Sequence, residues 1–582
     1  MKLCRVMMIA AILAFAALSL AAFAKYPGLL IAVLVIAALA GGRKAMSLTA
    51  YGTARWANAG DLKRAGMLGG TGLPLGRINT GRPSFWTALR DLFDRSIPSA
   101  EVCERLMRSM RKLQRVDPQQ EMVRLNKAVH TAVFAPAGAG KSTGLVIPFL
   151  LSNRDSCVVV DFKGELSQIT ADHRQKVFGH RVVLLDPFKV VTQTPDSFNP
   201  LSQIDADSPI AIDDCRALAE ALVLRTGQEK EPHWNDSAEL WIGAMVALTA
   251  MYAEGDDRSL QAVRTLLTNP QKMQQAIELM CKSNACEGML ARMGHQLQHF
   301  KDKELSSVLT TTNRHLRFLD TLAINASTKS SSFDPAELRK GKLTAYLILP
   351  PEHMRVQSSL LRMWVSGMLR AVVRAGLQED KKTHFVLDEA ASLGQMEVLE
   401  DAVDKFRGYG VRMQFFYQAM GQLKQCWREG KDQALLANCT QIYFGTAEQQ
   451  TAEYVSNMLG EATIIVESGG SNSGGSRQST TGANYSKSHG ESWNTSSNWQ
   501  QHGRKLLKPE EVIALDPRMA VTFTPGVRPI LTRLVRYYEE KLGNGQSRMQ
   551  RLQTLAEVWV TSAVMLVLAA LAVWAAASPV HH

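Results

Sequence analysis

The chain has 582 residues, a formal net charge of +12 and a pI of about 9.3. That length is too great for one ordinary domain, and the basic balance admits nucleic acid or anionic lipid as partners without establishing either. The eight cysteines are scattered, and the closest pair, Cys281 and Cys286, has no His or Cys partner at zinc-ligand spacing. They read as reduced cytosolic thiols, mostly in the core, which argues against a disulfide framework.

The first elements are apolar. Residues 6–24 form one uncharged run and 26–42 a second, shorter one, each near the roughly 20 residues that a spanning helix requires. Lys2 and Arg5 precede the pair, and Arg43 and Lys44 follow it. Positive flanks on both sides predict a transmembrane hairpin over 1–46, with the bulk of the chain in the cytoplasm. A cleaved signal peptide ending at Ala22-Phe23-Ala24 is the alternative; even then the second run would stop transfer and leave the bulk inside. Residues 47–127, basic and mixed, with Trp56 and Trp86, read as a cytoplasmic stem and the first edge of the core.

The sequence TAVFAPAGAGKSTGLVIPFL (131–150) then reads as strand, loop and helix, the order a P-loop requires. Gly138 and Gly140 let backbone N–H groups turn onto phosphate oxygens. Lys141 would reach the β- and γ-phosphates of ATP, and the Ser142 hydroxyl would complete a Mg²⁺ shell. The cradle runs Ala135, Pro136, Ala137, Gly138, Ala139, Gly140, Lys141, Ser142, Thr143, with Ala135 where the consensus has its first glycine. Residues 128–205 form the first part of a nucleotide-binding domain. Within it, apolar runs ending in Asp161 and Asp186 read as further strands.

Residues 206–338, rich in Ala, Leu, Met, Gln and charge, predict an inserted all-α domain. The nucleotide-binding domain resumes over 339–537, with apolar runs at 345–349, 385–387 and 413–417. Strands alternating with helices predict an α/β fold whose parallel sheet presents active groups at strand C-termini. Asp388 would hold Mg²⁺ through water, and Glu389 would orient and deprotonate the attacking water. Asp161 is a rival for the metal role, but only at Asp388 does a second acid follow directly; a capping role is the plain alternative for an Asp at a strand end. Gln418 ends the next strand, where its amide could sense the γ-phosphate. Arg407 and Arg412 lie between the Asp-Glu strand and Gln418. Either is a candidate for an arginine supplied to a neighbouring subunit, or a surface arginine.

Residues 468–503, dominated by Gly, Ser, Asn and Thr, read as a flexible surface loop despite Tyr485, Trp493 and Trp499. Residues 538–582 comprise a basic segment and a third apolar run, 558–577, which reads as a transmembrane helix or as a buried or interfacial one.

In chain order, AYGTARWA (50–57), APAGAGKSTGLVIPFLL (135–151), VVVDFKGEL (158–166), SFNPL (197–201), HWNDSA (233–238), LILPPE (347–352), VLDEAASLG (386–394) and FFYQAMGQL (415–423) form a specific set. NCTQIYFGT (438–446), TAEYVSNMLG (451–460) and RKLLKPEEV (504–512) extend it. Together they resemble the type IV secretion coupling proteins, the TraG/TraD-type ATPases of bacterial conjugation. The resemblance implies a RecA-like motor anchored in the bacterial inner membrane and its lipid, assembled as a homohexamer around a central channel. Its all-α domain would help recognise cargo. Its partners would be a relaxase bound to single-stranded DNA and the inner-membrane components of a type IV secretion channel. By motif, Lys141 and Ser142 carry the phosphate and Mg²⁺ roles and Asp388 and Glu389 the Asp-Glu strand. Gln418 is the post-strand glutamine, and Arg407 falls where a related arginine acts across the subunit boundary. The loop departs from the family in lacking a second glycine after Lys141, and the apolar run at 558–577 departs from the usual soluble tail. A coupling protein for protein effectors only, a chromosome-type pump of double-stranded DNA and a receptor that merely binds ATP are the competing readings.

Overall fold

The computed structural model describes residues 50–78, 122–225, 229–479 and 487–539. The predicted hairpin over 1–46 and the apolar run at 558–577 lie outside these residues. Among the described residues, no helix is long and apolar enough to cross a membrane.

The strands are, in chain order, β1 (Leu73–Ile78), β2 (Met122–Leu125), β3 (His130–Phe134), β4 (Ser156–Asp161), β5 (Arg181–Leu185), β6 (Leu343–Ile348), β7 (Thr383–Leu387), β8 (Val411–Tyr417), β9 (Cys439–Phe444), β10 (Glu461–Ser479), β11 (Lys487–Lys505), β12 (Met519–Phe523) and β13 (Ile530–Arg533). One 11-stranded sheet runs β2-β1-β13-β12-β9-β3-β8-β7-β4-β6-β5. From β9 to β5 every pairing is parallel. Strands β3, β4, β6, β8 and β9 are buried at every position. A parallel sheet covered on both faces leaves no side of a strand to water, so these segments are largely apolar and show no polar-apolar alternation of a half-exposed strand.

From β9 outward the sheet turns antiparallel through β12, β13, β1 and β2. This extension has no counterpart in the sequence reading, which placed only a core edge in 47–127. Its outer members are short, and Gly76 sits at a register shift between β1 and β2, which interrupts the alternation that marks a strand.

Between β5 and β6 the described residues form no strand. They form helices Ala211–Leu222, His233–Tyr252, Leu260–Thr268, Pro270–Cys281, Met289–Leu297, Asp302–Leu316 and Leu322–Thr328. The second of these is the hub, with Trp241 and residues 242 to 247 fully or almost fully buried. The chain re-enters the sheet at β6 and then forms helix Pro351–Arg374, opened by a proline at its first turn, where a missing N–H costs nothing.

Residues 50–54 and 460–506 form a separate compact unit. In it β10 and β11 pair antiparallel from Glu461 opposite Lys505 to Ser479 opposite Lys487. The stretch 468–503, expected as a flexible loop, therefore lies largely in a hairpin. The expectation weighed side-chain burial, whereas backbone N–H and C=O groups satisfy one another across a hairpin whatever the side chains. Trp493 and Trp499 fall on β11, and Tyr485 lies outside the described residues.

Candidate nucleotide-binding site

The C-terminal ends of β3, β7 and β8 meet at one edge of the sheet, with β8 between the other two. β3 delivers the loop. Ala135 N–H donates to the Tyr417 carbonyl at 3.1 Å, which ties the loop's first residue to the end of β8. Gly138 (φ +78°) and Gly140 (φ +95°) then adopt a backbone that side-chain-bearing residues rarely reach. Ala135 does not adopt a positive φ, so alanine in the first glycine position carries no backbone strain.

The helix that follows opens with a π-helical turn, Ser142–Val146, before Ile147–Ser152. Pro148 accounts for the shift: it has no N–H to offer the carbonyl one turn back, and the Ile147 N–H reaches to Ser142 O instead. Lys141 extends back over the loop, its Nζ donating to Ala135 O at 2.7 Å and to Pro136 O at 3.5 Å. Burial lowers its pKa, opposed by Glu389 and Asp388.

The Ser142 hydroxyl donates to Asp388 Oδ2 at 3.4 Å. Asp388 Oδ1 is buried with no hydrogen-bond partner among the described residues. Burial pushes this carboxyl up to about 7 against the pull of Lys141, and the nearby Asp161 and Glu389 add to the rise. A hydroxyl, an orphaned carboxylate oxygen and a flanking lysine are the hard oxygen donors and phosphate counter-charge that Mg²⁺ with a nucleotide triphosphate requires. The residues fit that pair.

Glu389 sits beside Asp388 and accepts from Gln418 Nε2 at 3.3 Å on both carboxylate oxygens. Gln422 Nε2 also approaches it at 3.5 Å, while Gln422 Oε1 takes the Gln418 backbone N–H at 2.8 Å. Sequence reasoning missed Gln422. The available signal was its spacing, four residues after Gln418 in QAMGQL, where a helical turn brings the two amides together.

The rival acids are engaged elsewhere. Asp161 Oδ2 accepts the Ser167 N–H at 2.8 Å and its hydroxyl at 2.9 Å, satisfying the first turn of helix Glu165–Lys176. Asp186 accepts the N–H groups of Val190, Val191 and Thr192 and anchors its own loop.

Arg407 lies in the turn Phe406–Tyr409, exposed, before β8 begins. It is therefore at the N-terminal end of the strand whose C-terminal end carries Gln418, roughly 20 Å away for seven extended residues. Arg412 is buried, with Nη1 donating to Arg407 O at 3.0 Å and Val411 O at 2.8 Å. Neither arginine reaches the P-loop of its own chain.

The family described as "Type IV secretory system Conjugative DNA transfer" matches residues 55–565. Protein VirD4 of Rhizobium rhizogenes is 28% identical over 419 residues, covering 71% of this chain and 59% of that protein. Conjugal transfer protein TraG of Escherichia coli is 26% identical over 491 residues, covering 80% and 71%. The chain thus spans about three fifths of the length of its VirD4 relatives. Among solved structures, the bacterial conjugative coupling protein TrwBdeltaN70 in unbound form shares the fold. It has a TM-score of 0.52 and 17% identity, covering 70% of this chain and 84% of that one. TrwB in complex with the ATP analogue ADPNP matches at a TM-score of 0.51 and 16% identity, covering 72% and 87%. The chain belongs to the type IV secretory system conjugative DNA transfer family.

Proposed function

We propose that this protein is an inner-membrane ATPase that couples a relaxase-bound single-stranded DNA to a type IV secretion channel and energises its transfer. One observation carries the reading: Lys141, Ser142, Asp388, Glu389 and Gln418 gather at the C-terminal ends of three neighbouring strands, where Asp388 Oδ1 is satisfied by none of the described residues. Relatives of this fold solved with ADPNP and with ADP and Mg²⁺ support the ligand pair.

In this reading Lys141 leaves the Ala135 carbonyl to bind the β- and γ-phosphates, while Ser142 and Asp388 hold the metal. Mg²⁺, when bound, neutralises charge that develops on the transferring phosphoryl group. Glu389, oriented by Gln418 and Gln422, positions and deprotonates the attacking water, and Gln418 links it to the γ-phosphate. The nucleotide-binding domain comprises 128–205 and, apart from the separate unit over 460–506, 339–537, with the all-α domain over 206–338 inserted between its halves. The apolar runs at 6–24 and 26–42 are its proposed membrane anchor. Arg407, exposed at the far strand end, suits a homohexamer in which it serves a neighbour's site.

The test is ATP hydrolysis by the purified full-length chain, with and without a single-stranded oligonucleotide, beside Glu389→Gln. DNA-stimulated hydrolysis lost in the variant supports the proposal. Hydrolysis indifferent to DNA shifts the cargo to protein effectors, and a fully active Glu389→Gln overturns the assigned chemistry.

A further inference from the structure

Arg362, in the middle of helix Pro351–Arg374, is 3% exposed, and none of its hydrogen bonds goes to a carboxylate. Its Nε donates to Ala221 O at 3.1 Å and its Nη2 to Val223 O at 3.2 Å. Its Nη1 donates to both Leu393 O and Gln395 O, each at 2.7 Å. The first two carbonyls close helix Ala211–Leu222, which opens the helical insertion. Ser359, one turn earlier, takes the carbonyl between them, Leu222 O, at 3.1 Å.

The other two carbonyls flank Gly394 (φ +63°, ψ −155°), a conformation essentially confined to glycine. This turn follows directly from the candidate general base. Ala390–Leu393 is a single helical turn with Glu389 at its head, and the Ser392 N–H and hydroxyl both donate to Glu389 O, at 3.1 and 2.7 Å. On the insertion's side, Leu224 N–H donates to His315 Nδ1 at 3.3 Å, and Arg225 pairs with Asp236 and Glu239. One planar guanidinium therefore bridges two segments that have no sequence proximity, one fixed to the helical insertion and the other to Glu389.

Burying a guanidinium whose hydrogen bonds all go to carbonyls is costly even with the Glu220 charge nearby, and an apolar side chain of similar volume would fill the space without that desolvation. The carbonyl ends of a helix recover part of it through their aligned dipoles. What the guanidinium adds is geometry. Its N–H groups diverge in a rigid fork, so the helix end cannot shift against the sheet without pulling the turn or breaking charged hydrogen bonds.

We propose that Arg362 is a positioning residue that ties the Glu389 turn to the first helix of the insertion, so that displacement of the insertion by cargo resets the geometry of hydrolysis. This rests on the ATPase reading above.

The experiment compares wild type, Arg362→Met, Arg362→Lys and Gly394→Ala as full-length protein, measuring kcat and KM for ATP and nucleotide affinity separately. Arg362→Met is expected to lose roughly 10- to 100-fold in kcat, the size of effect a misplacement of about 1 Å produces, with KM and nucleotide affinity within about twofold. Arg362→Lys should recover little of this, because one ammonium cannot span both pairs of carbonyls. Gly394→Ala should lose kcat by the same route, and the double variant should lose less than the product of the two single effects. Unchanged kcat in Arg362→Met, or parallel loss of nucleotide affinity, overturns the proposal. If that variant fails to fold, Gly394→Ala decides alone, and an unchanged kcat there overturns it. A wild type without ATP hydrolysis removes the functional reading and this inference together.

Discussion

The two ends of the parallel strands are built from the same residue types to opposite purposes. At the N-terminal end, the polar groups around Arg174 are saturated by the protein itself. Arg174 is fully buried and donates to Thr344 Oγ1, Leu150 O, Asn153 O and Asp155 O between 2.6 and 2.9 Å. His384 meets Asp155 at 3.2 Å, and His180 lies between Thr344 Oγ1 and Arg154 O. At the C-terminal end, Asp388 keeps an orphaned oxygen and Lys141 rests on carbonyls alone. A network that closes on itself holds a fold together; one left open is disposed to take a ligand.

That contrast breaks if stability and chemistry fail together at both ends. The largest effect is expected from Glu389→Gln, which should lower kcat about 10²- to 10⁴-fold, as removal of a general base does, with nucleotide binding and melting temperature nearly unchanged. Arg174→Met should do the reverse. Stranding the carbonyls around a buried cation's site should cost about 3–5 kcal/mol in denaturant unfolding, with kcat of the surviving folded protein within a few-fold of wild type.

The third effect concerns pH. His130, which opens β3, is 1% exposed and accepts the Met413 N–H at Nδ1. Burial, aided by the positive charges of Arg412 and Arg407, pushes its pKa down to about 4. Between the ordinary value of about 6.5 and that value, the unfolded chain binds a proton the fold refuses. Stability should therefore hold above pH 7 and fall with acidification, by about 2 kcal/mol from this group between pH 7 and 5. Comparing urea midpoints of wild type and His130→Gln at both pH values checks this, because the variant should lose less on acidification. The smallest effect is sought at Gln422→Ala, which removes one of two amides from Glu389 and should lower kcat only two- to fivefold. A loss as large as that of Gln418→Ala would mean that Gln422 shares the sensing role.

The legible parts of the molecule were those where burial and chemistry both constrain residue type. β3, β4, β7 and β8 showed as apolar runs because both their faces are covered, and the loop over 135–141 showed because its backbone takes a positive φ, which favours glycine, at 138 and 140. Ser142, Asp388, Glu389 and Gln418 followed from their places at the ends of such runs. Less visible was whatever depends on partners distant in sequence. β13 pairs with β1 across more than 450 residues, a relationship no local period encodes. Asp161 resembled a metal ligand until Ser167 accounted for its oxygen. Arg362 looked like any helix arginine, since nothing near it in sequence announces carbonyls at 221, 223, 393 and 395.

The lysine folded back onto Ala135 closes a seven-residue ring, 135 to 141, with its own ammonium as the latch. A loop so latched has its shape fixed by its own hydrogen bonds and by the backbone of Gly138 and Gly140. On the proposed reading, nucleotide binding would be a substitution, phosphate oxygen for peptide oxygen, and release the same exchange run backwards. The Ala135 carbonyl would then compete with phosphate for Lys141, present at one equivalent in every copy of the chain.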